Sequence, residues 1–155
     1  MLDNCKTAKE RWGGVSQMVD RWLEERQDLL VRYCALSGRE KSSDSEQARA
    51  EKLRRFCQIL VDYVSAGHFE VYDQLMKEGR EFEDEVALTH AGELIKAIDK
   101  TTEKALDFND KYLETDDLTA LDQDLSSLGE TLETRFSAED DMIAMLHTSH
   151  RDLVS

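Results

Sequence analysis

Two histidines one helical turn apart, His147-x-x-His150, and the run Ser65-Ala66-Gly67-His68 are the spacings in this chain that come nearest to site chemistry. The first pair could offer two imidazoles to a metal from one helix face, but it lies at an end expected to fray and has no supporting acid. In the second, adjacency in sequence does not establish the serine-to-histidine proton transfer that a hydrolase needs. A di-iron centre in a helical protein asks for paired Glu-x-x-His elements, and none occurs. There is also no P-loop, nucleophile elbow, dinucleotide glycine motif or His-Glu-x-x-His helix. Cys5, Cys34 and Cys57 are odd in number and lack metal or redox spacing, so they read as free thiols in a reducing compartment. The chain is expected to be no enzyme and to hold no metal or other cofactor.

Two charges stand where leucines would fit. Arg26 falls in the middle of the apolar stripe of its helix, and Glu139 continues the stripe of the last helix between Phe136 and Ile143. An unpaired buried charge costs several kcal/mol, so each needs a counter-ion. The expectation is an Arg26 to Glu139 salt bridge, or a network that draws in Asp20, Arg21, His68 or Arg135; the alternative is snorkelling of both side chains to solvent.

The elements that must position these groups are helical. The absence of proline and the 35% charged composition favour long uninterrupted helices over strands. A short helix is expected from Asp3 to Trp12, stopped by Gly13-Gly14, and a second from Val15 to Ser37, stopped at Gly38. Ser43-x-x-Glu46 has the form of a capping box opening the third helix, which runs to Ala66. Gly67 ends or bends it, and His68 to Glu78 continues with Phe69, Tyr72, Leu75 and Met76 on one side. A fourth helix spans Glu81 to Leu113, and a fifth, Asp117 to Thr148, carries the seam Leu118, Leu121, Leu125, Leu128, Leu132 and Phe136. The fold predicted is all-α: one domain over residues 1–155, an antiparallel up-down-up-down helix bundle with an extra N-terminal helix and a bend near Gly67.

The net charge of −14 disfavours contact with nucleic acid and points to a basic partner. From Glu103 to Asp141 there are thirteen Asp/Glu against three Lys/Arg, although a solvated face explains such a run as well. The opening residues MLDNCKTAKERW lack a signal-peptide core, and no run of about eighteen apolar residues exists, so a cytoplasmic location and no membrane contact are expected. On the third helix Leu53, Phe56, Cys57, Leu60, Val61 and Val64 recur as a core-facing stripe. Arg55, Ile59, Asp62 and Ala66 lie behind them with Tyr63 on the flank, forming a decorated strip beside Gly67-His68-Phe69 that suggests docking.

Phe56 to Tyr72 (FCQILVDYVSAGHFEVY), with Val19-Asp20-Arg21-Trp22-Leu23 upstream and Leu132-Glu133-Thr134-Arg135-Phe136 and Glu139-Asp140 downstream, resembles the Rsd/AlgQ family of bacterial anti-sigma factors. The likeness follows the chain in order, and is weakest over residues 39–52 and 77–104. It implies a partner, region 4 of the primary sigma factor, a basic helix-turn-helix that reads the −35 promoter element and contacts core RNA polymerase. On that reading Trp22, Ile59, Tyr63, Ala66, Phe69 and Tyr72 supply an apolar centre, although Trp22, Phe69 and Tyr72 are also core types. Asp20, Asp62, Glu139 and Asp140 meet partner Arg/Lys, with Arg21, Glu25 and His68 beside them. The free protein would be monomeric or weakly self-associating. A regulator of another protein, such as a phosphocarrier or metabolic enzyme, and a bundle binding a metal or small ligand are the competing readings.

Overall fold

The computed structural model describes residues 7–38 and 45–154. Among these residues five α-helices follow one another: α1 (Ala8–Ser37), α2 (Glu46–Ala66), α3 (Tyr72–Glu81), α4 (Glu85–Glu114) and α5 (Leu121–Leu146). A π-helical turn, Gly67–Val71, joins α2 to α3 without a break, and a 3-10 turn, Thr148–Leu153, follows α5. No strand occurs among the described residues. The chain is an all-α antiparallel bundle in which α1 packs on α2, α2 on α4, and α4 on α5. No helix is long and apolar enough to cross a membrane among the residues described.

The seam of α5 is where the leucine spacing puts it. Leu121, Leu125, Leu128 and Leu132 are all buried, and Leu118 and Phe136 pack at its margins. Asp117 does not begin the helix, because its carboxylate accepts the Thr119 N–H at 3.0 Å and closes a tight turn first. Asp84 caps α4, accepting the Ala87 N–H at 3.1 Å, after Glu83 takes a left-handed φ of 52° to turn the chain from α3.

Other boundaries differ from expectation as well: Glu81 ends α3, and α4 begins at Glu85. Gly13-Gly14 does not stop a helix: Ala8 to Trp12 are the first turns of α1, while Asp3 to Lys6 lie outside the described residues. Two helical glycines cost roughly 1 kcal/mol each relative to alanine, and the helix is held across them by Trp12 on one side and buried Val15 on the other. The Trp12 ring stacks on His147 at 4.2 Å, and its indole N–H donates to the His147 carbonyl at 2.9 Å. The cap of α2 is Ser45, which accepts the Ala48 N–H at 3.1 Å; Ser43 lies outside the described residues. The C-terminal end is fixed rather than frayed. His147 Nδ1 lies 2.9 Å from Glu78 and His150 Nε2 2.9 Å from Asp84, so acids remote in sequence hold both rings in the interior.

One close approach sets a stability prediction. A Cβ on Gly129 would sit 2.3 Å from the Tyr33 hydroxyl, which donates to the Leu125 carbonyl at 2.8 Å. Gly129→Ala should therefore lower stability by about 1–3 kcal/mol, in spite of alanine's better helix propensity, because α1 and α5 must separate or lose that bond. Urea denaturation reads the sign directly.

Candidate functional site

α2 lies between α1 and α4, so more of its circumference is covered than one stripe describes. Ile59 is 8% exposed and Tyr63 0%, whereas Val61 of the expected core stripe is only half-buried. Trp22 of α1 is buried face to face on Tyr63, 4.8 Å between ring centroids, and donates its indole N–H to the Tyr63 carbonyl. Tyr72 is buried with its ring edge toward Trp22. Trp22, Ile59, Tyr63 and Tyr72 thus belong to the interior and cannot offer a partner surface, a correction to their reading as a docking centre.

Beneath them lies a buried polar cluster. Glu139 is 1% exposed and Arg135 0%. Arg135 Nε donates to Glu139 Oε2 at 3.2 Å, and Arg26 Nη2 lies 3.3 Å from Oε1. The Tyr63 hydroxyl donates to Glu139 Oε1 at 2.6 Å and accepts from Arg26 Nε at 3.0 Å. The Tyr72 hydroxyl donates to Oε2 and accepts from Arg135 Nη2 at 3.0 Å. Burial first, and then the Glu139 charge, pushes both phenols above their ordinary value, so they remain donors. Burial also raises the Glu139 carboxyl, opposed by Arg135, the two phenols and Arg26. Arg26 reaches outward as well, donating to Asp140 at 2.6 Å. Glu139 is therefore an interior group with every lone pair engaged, not a partner contact.

His68 is tied to the same cluster. Its Nε2 lies 2.9 Å from Thr102 Oγ1, which also accepts from Arg135 Nη1 at 2.8 Å. The Thr102 hydroxyl also reaches the Ile98 carbonyl at 3.2 Å. Burial, and then the Arg135 charge, lowers the His68 pKa and favours the neutral ring. This hydrogen bond gives the ring a structural partner in place of Ser65.

What remains outside is compact. Phe69, expected on the same side as Tyr72, is 83% exposed, because the π-turn breaks the α-helical phase between positions 69 and 72. Asp62 is exposed and accepts from Gln58 at 3.0 Å. Glu25 of α1 is exposed, and its carboxyl is raised by partial burial and then by the charges of Asp62 and Glu70, with Arg21 opposing. Glu25 therefore feels the charges of both Asp62 and Glu70, and Glu70 adjoins the exposed Phe69 in the turn. Glu70 was missed from sequence, although an acid adjoining Phe69 was the available signal. Exposed Asp20 and Arg21 lie on α1, Ala66 is half-buried at the end of α2, and exposed Asp140 is engaged by Arg26.

Among the described residues no group of three or more His, Cys, Asp or Glu could hold a metal. His147 and His150 do not converge, since each ring is turned to a different carboxylate. An exposed aromatic ring on a helical turn, with exposed acids on the same stretch and on α1, is chemistry suited to contact with a protein surface.

The family model for regulators of the RNA polymerase sigma(70) subunit, Rsd/AlgQ, matches residues 1–147. Proteins named regulator of sigma D from Salmonella paratyphi B, Salmonella schwarzengrund and Salmonella newport are each 38% identical over 157 residues, covering 98% of this chain and 95% of theirs. The three sequence words and the full-length match agree: the chain belongs to the Rsd/AlgQ family of regulators of the RNA polymerase sigma(70) subunit.

Proposed function

We propose that this protein is an anti-sigma factor that binds region 4 of the primary sigma factor and so competes with core RNA polymerase and the −35 element for it. The observation that carries the reading is the exposed Phe69 on the π-turn, with Glu70 next to it in the chain and exposed Asp62 on the helix that leads into the turn. A basic helix-turn-helix has the complementary charge, and an apolar pocket between its helices would desolvate the ring. Exposed Asp20, Arg21 and Asp140 and half-buried Ala66 are the further residues that would meet the partner. The act is one of covering a surface, so no catalytic step enters it. The cytoplasm, where RNA polymerase works, is the location this role requires.

Titration of purified protein against isolated region 4 tests the reading. Asp62→Ala should weaken binding by about 2 kcal/mol, roughly thirtyfold, with helicity unchanged because the side chain is exposed. Association should slow as ionic strength rises, whereas dissociation, governed by the Phe69 contact, should change little. Equal affinity of wild type and Asp62→Ala would remove this site, and absence of binding at low salt would remove the function.

A further inference from the structure

We propose that the buried Glu139 and Arg135 are positioning residues for the docking surface: through Tyr72, and through Thr102 to His68, they hold the π-turn Gly67–Val71 in the shape that directs Phe69 outward. This rests on the proposed role of Phe69 in partner binding, and deepens it by assigning the interior groups that set its geometry.

The turn is gripped at three points. At its end, the Tyr72 N–H bonds to the Gly67 carbonyl, the five-residue step that defines the π-turn, and the Tyr72 hydroxyl is held by Glu139 and Arg135. At its start, a Cβ on Gly67 would lie 3.0 Å from that hydroxyl and 3.2 Å from Trp22, so the tyrosine crosses directly over the glycine backbone. Between them, His68 Nε2 hydrogen-bonds with Thr102 Oγ1, and Thr102 shares Arg135 with Thr101. Residues 67, 68 and 72 are thus bound to one buried cluster, and Phe69 and Glu70 are the exposed members of the turn.

A π-turn carries one more residue than the α-helical path and is less favourable on its own. Without the grip, a return of positions 67–71 to α-helical phase would change the angle between Phe69 and Asp62, which lie seven residues apart, and so alter the shape of the patch.

The test uses Tyr72→Phe, which removes one hydroxyl, and Thr102→Val, which releases His68 from α4; neither side chain belongs to the exposed patch. Amide hydrogen exchange at residues 67–71 should accelerate at least about tenfold in both, as expected for the loss of a hydrogen bond to a charged or shared partner, with helicity and the exchange of α5 unchanged. Affinity for region 4 should fall about tenfold in each, and should not fall further when either is combined with Phe69→Ala, because both act through that ring. Unchanged exchange in both variants overturns the proposal. So does accelerated exchange with wild-type affinity, or a loss that adds fully to that of Phe69→Ala. If wild type itself fails to bind region 4, the partner assignment fails, and the exchange measurement still decides whether the cluster holds the turn.

Discussion

Glu139→Leu should lower unfolding stability by about 3–5 kcal/mol, since it leaves Arg135 charged and wholly buried with only hydroxyl partners. For a chain of this size that is roughly a 10 °C fall in melting temperature. Arg135→Met should cost less, because Glu139 keeps Arg26 and both phenol donors. The double substitution Arg135→Met/Glu139→Leu should lose less than Glu139→Leu alone: it removes the stranded charge and leaves the Tyr63 and Tyr72 hydroxyls to find new acceptors, each at about 1–3 kcal/mol if orphaned. Arg26 remains satisfied in every variant, being partly exposed and bonded to Asp140 at 2.6 Å. Denaturant titration of the three proteins settles it, and a double mutant whose loss equals the sum of the singles would contradict a coupled pair.

The bundle was legible because burial of one helix face leaves a mark at fixed spacing. Leu121, Leu125, Leu128 and Leu132 gave α5 its core side from sequence, and they are buried. The charges at Arg26 and Glu139 were legible as anomalies in such stripes, and the structure brings them to 3.3 Å. What a stripe cannot report is how many neighbours a helix has. α2 is covered by both α1 and α4, so Ile59 and Tyr63, placed on the outside by a one-stripe reading, are interior. Nor does periodicity register a π-turn, where the backbone changes its hydrogen-bond step while the sequence continues: Phe69 and Tyr72, three apart, share a face in an α-helix but not here. His147 and His150 were misjudged for a different reason. Their partners Glu78 and Asp84 lie 69 and 66 residues away, and only the tertiary fold brings them close.

The patch itself makes the second large prediction. Glu25→Lys/Asp62→Lys should weaken binding to sigma region 4 by more than about a hundredfold, because it replaces two attractions by two repulsions against a basic surface, and like-charge juxtaposition costs several kcal/mol. Both side chains are exposed, so the fold should not suffer. Partial burial, and then the charges of Asp62 and Glu70, raise the Glu25 carboxyl, with Arg21 opposing. The double reversal exchanges the repulsion between two negative charges at positions 25 and 62 for one between two positive charges, and loses the Arg21 attraction. Because these side chains are exposed, the melting temperature should change by no more than a few degrees. A simple loss of overall negative charge would weaken binding too, so the control is Asp110→Lys/Glu114→Lys, two exposed acids toward the end of α4 with the same change in net charge. If the effect belongs to Glu25 and Asp62 themselves, the control should bind within a fewfold of wild type and differ mainly in association rate at low salt. Equal losses in the two double variants would mean that net charge alone recruits the partner, and that the acids beside the π-turn have no special part in it.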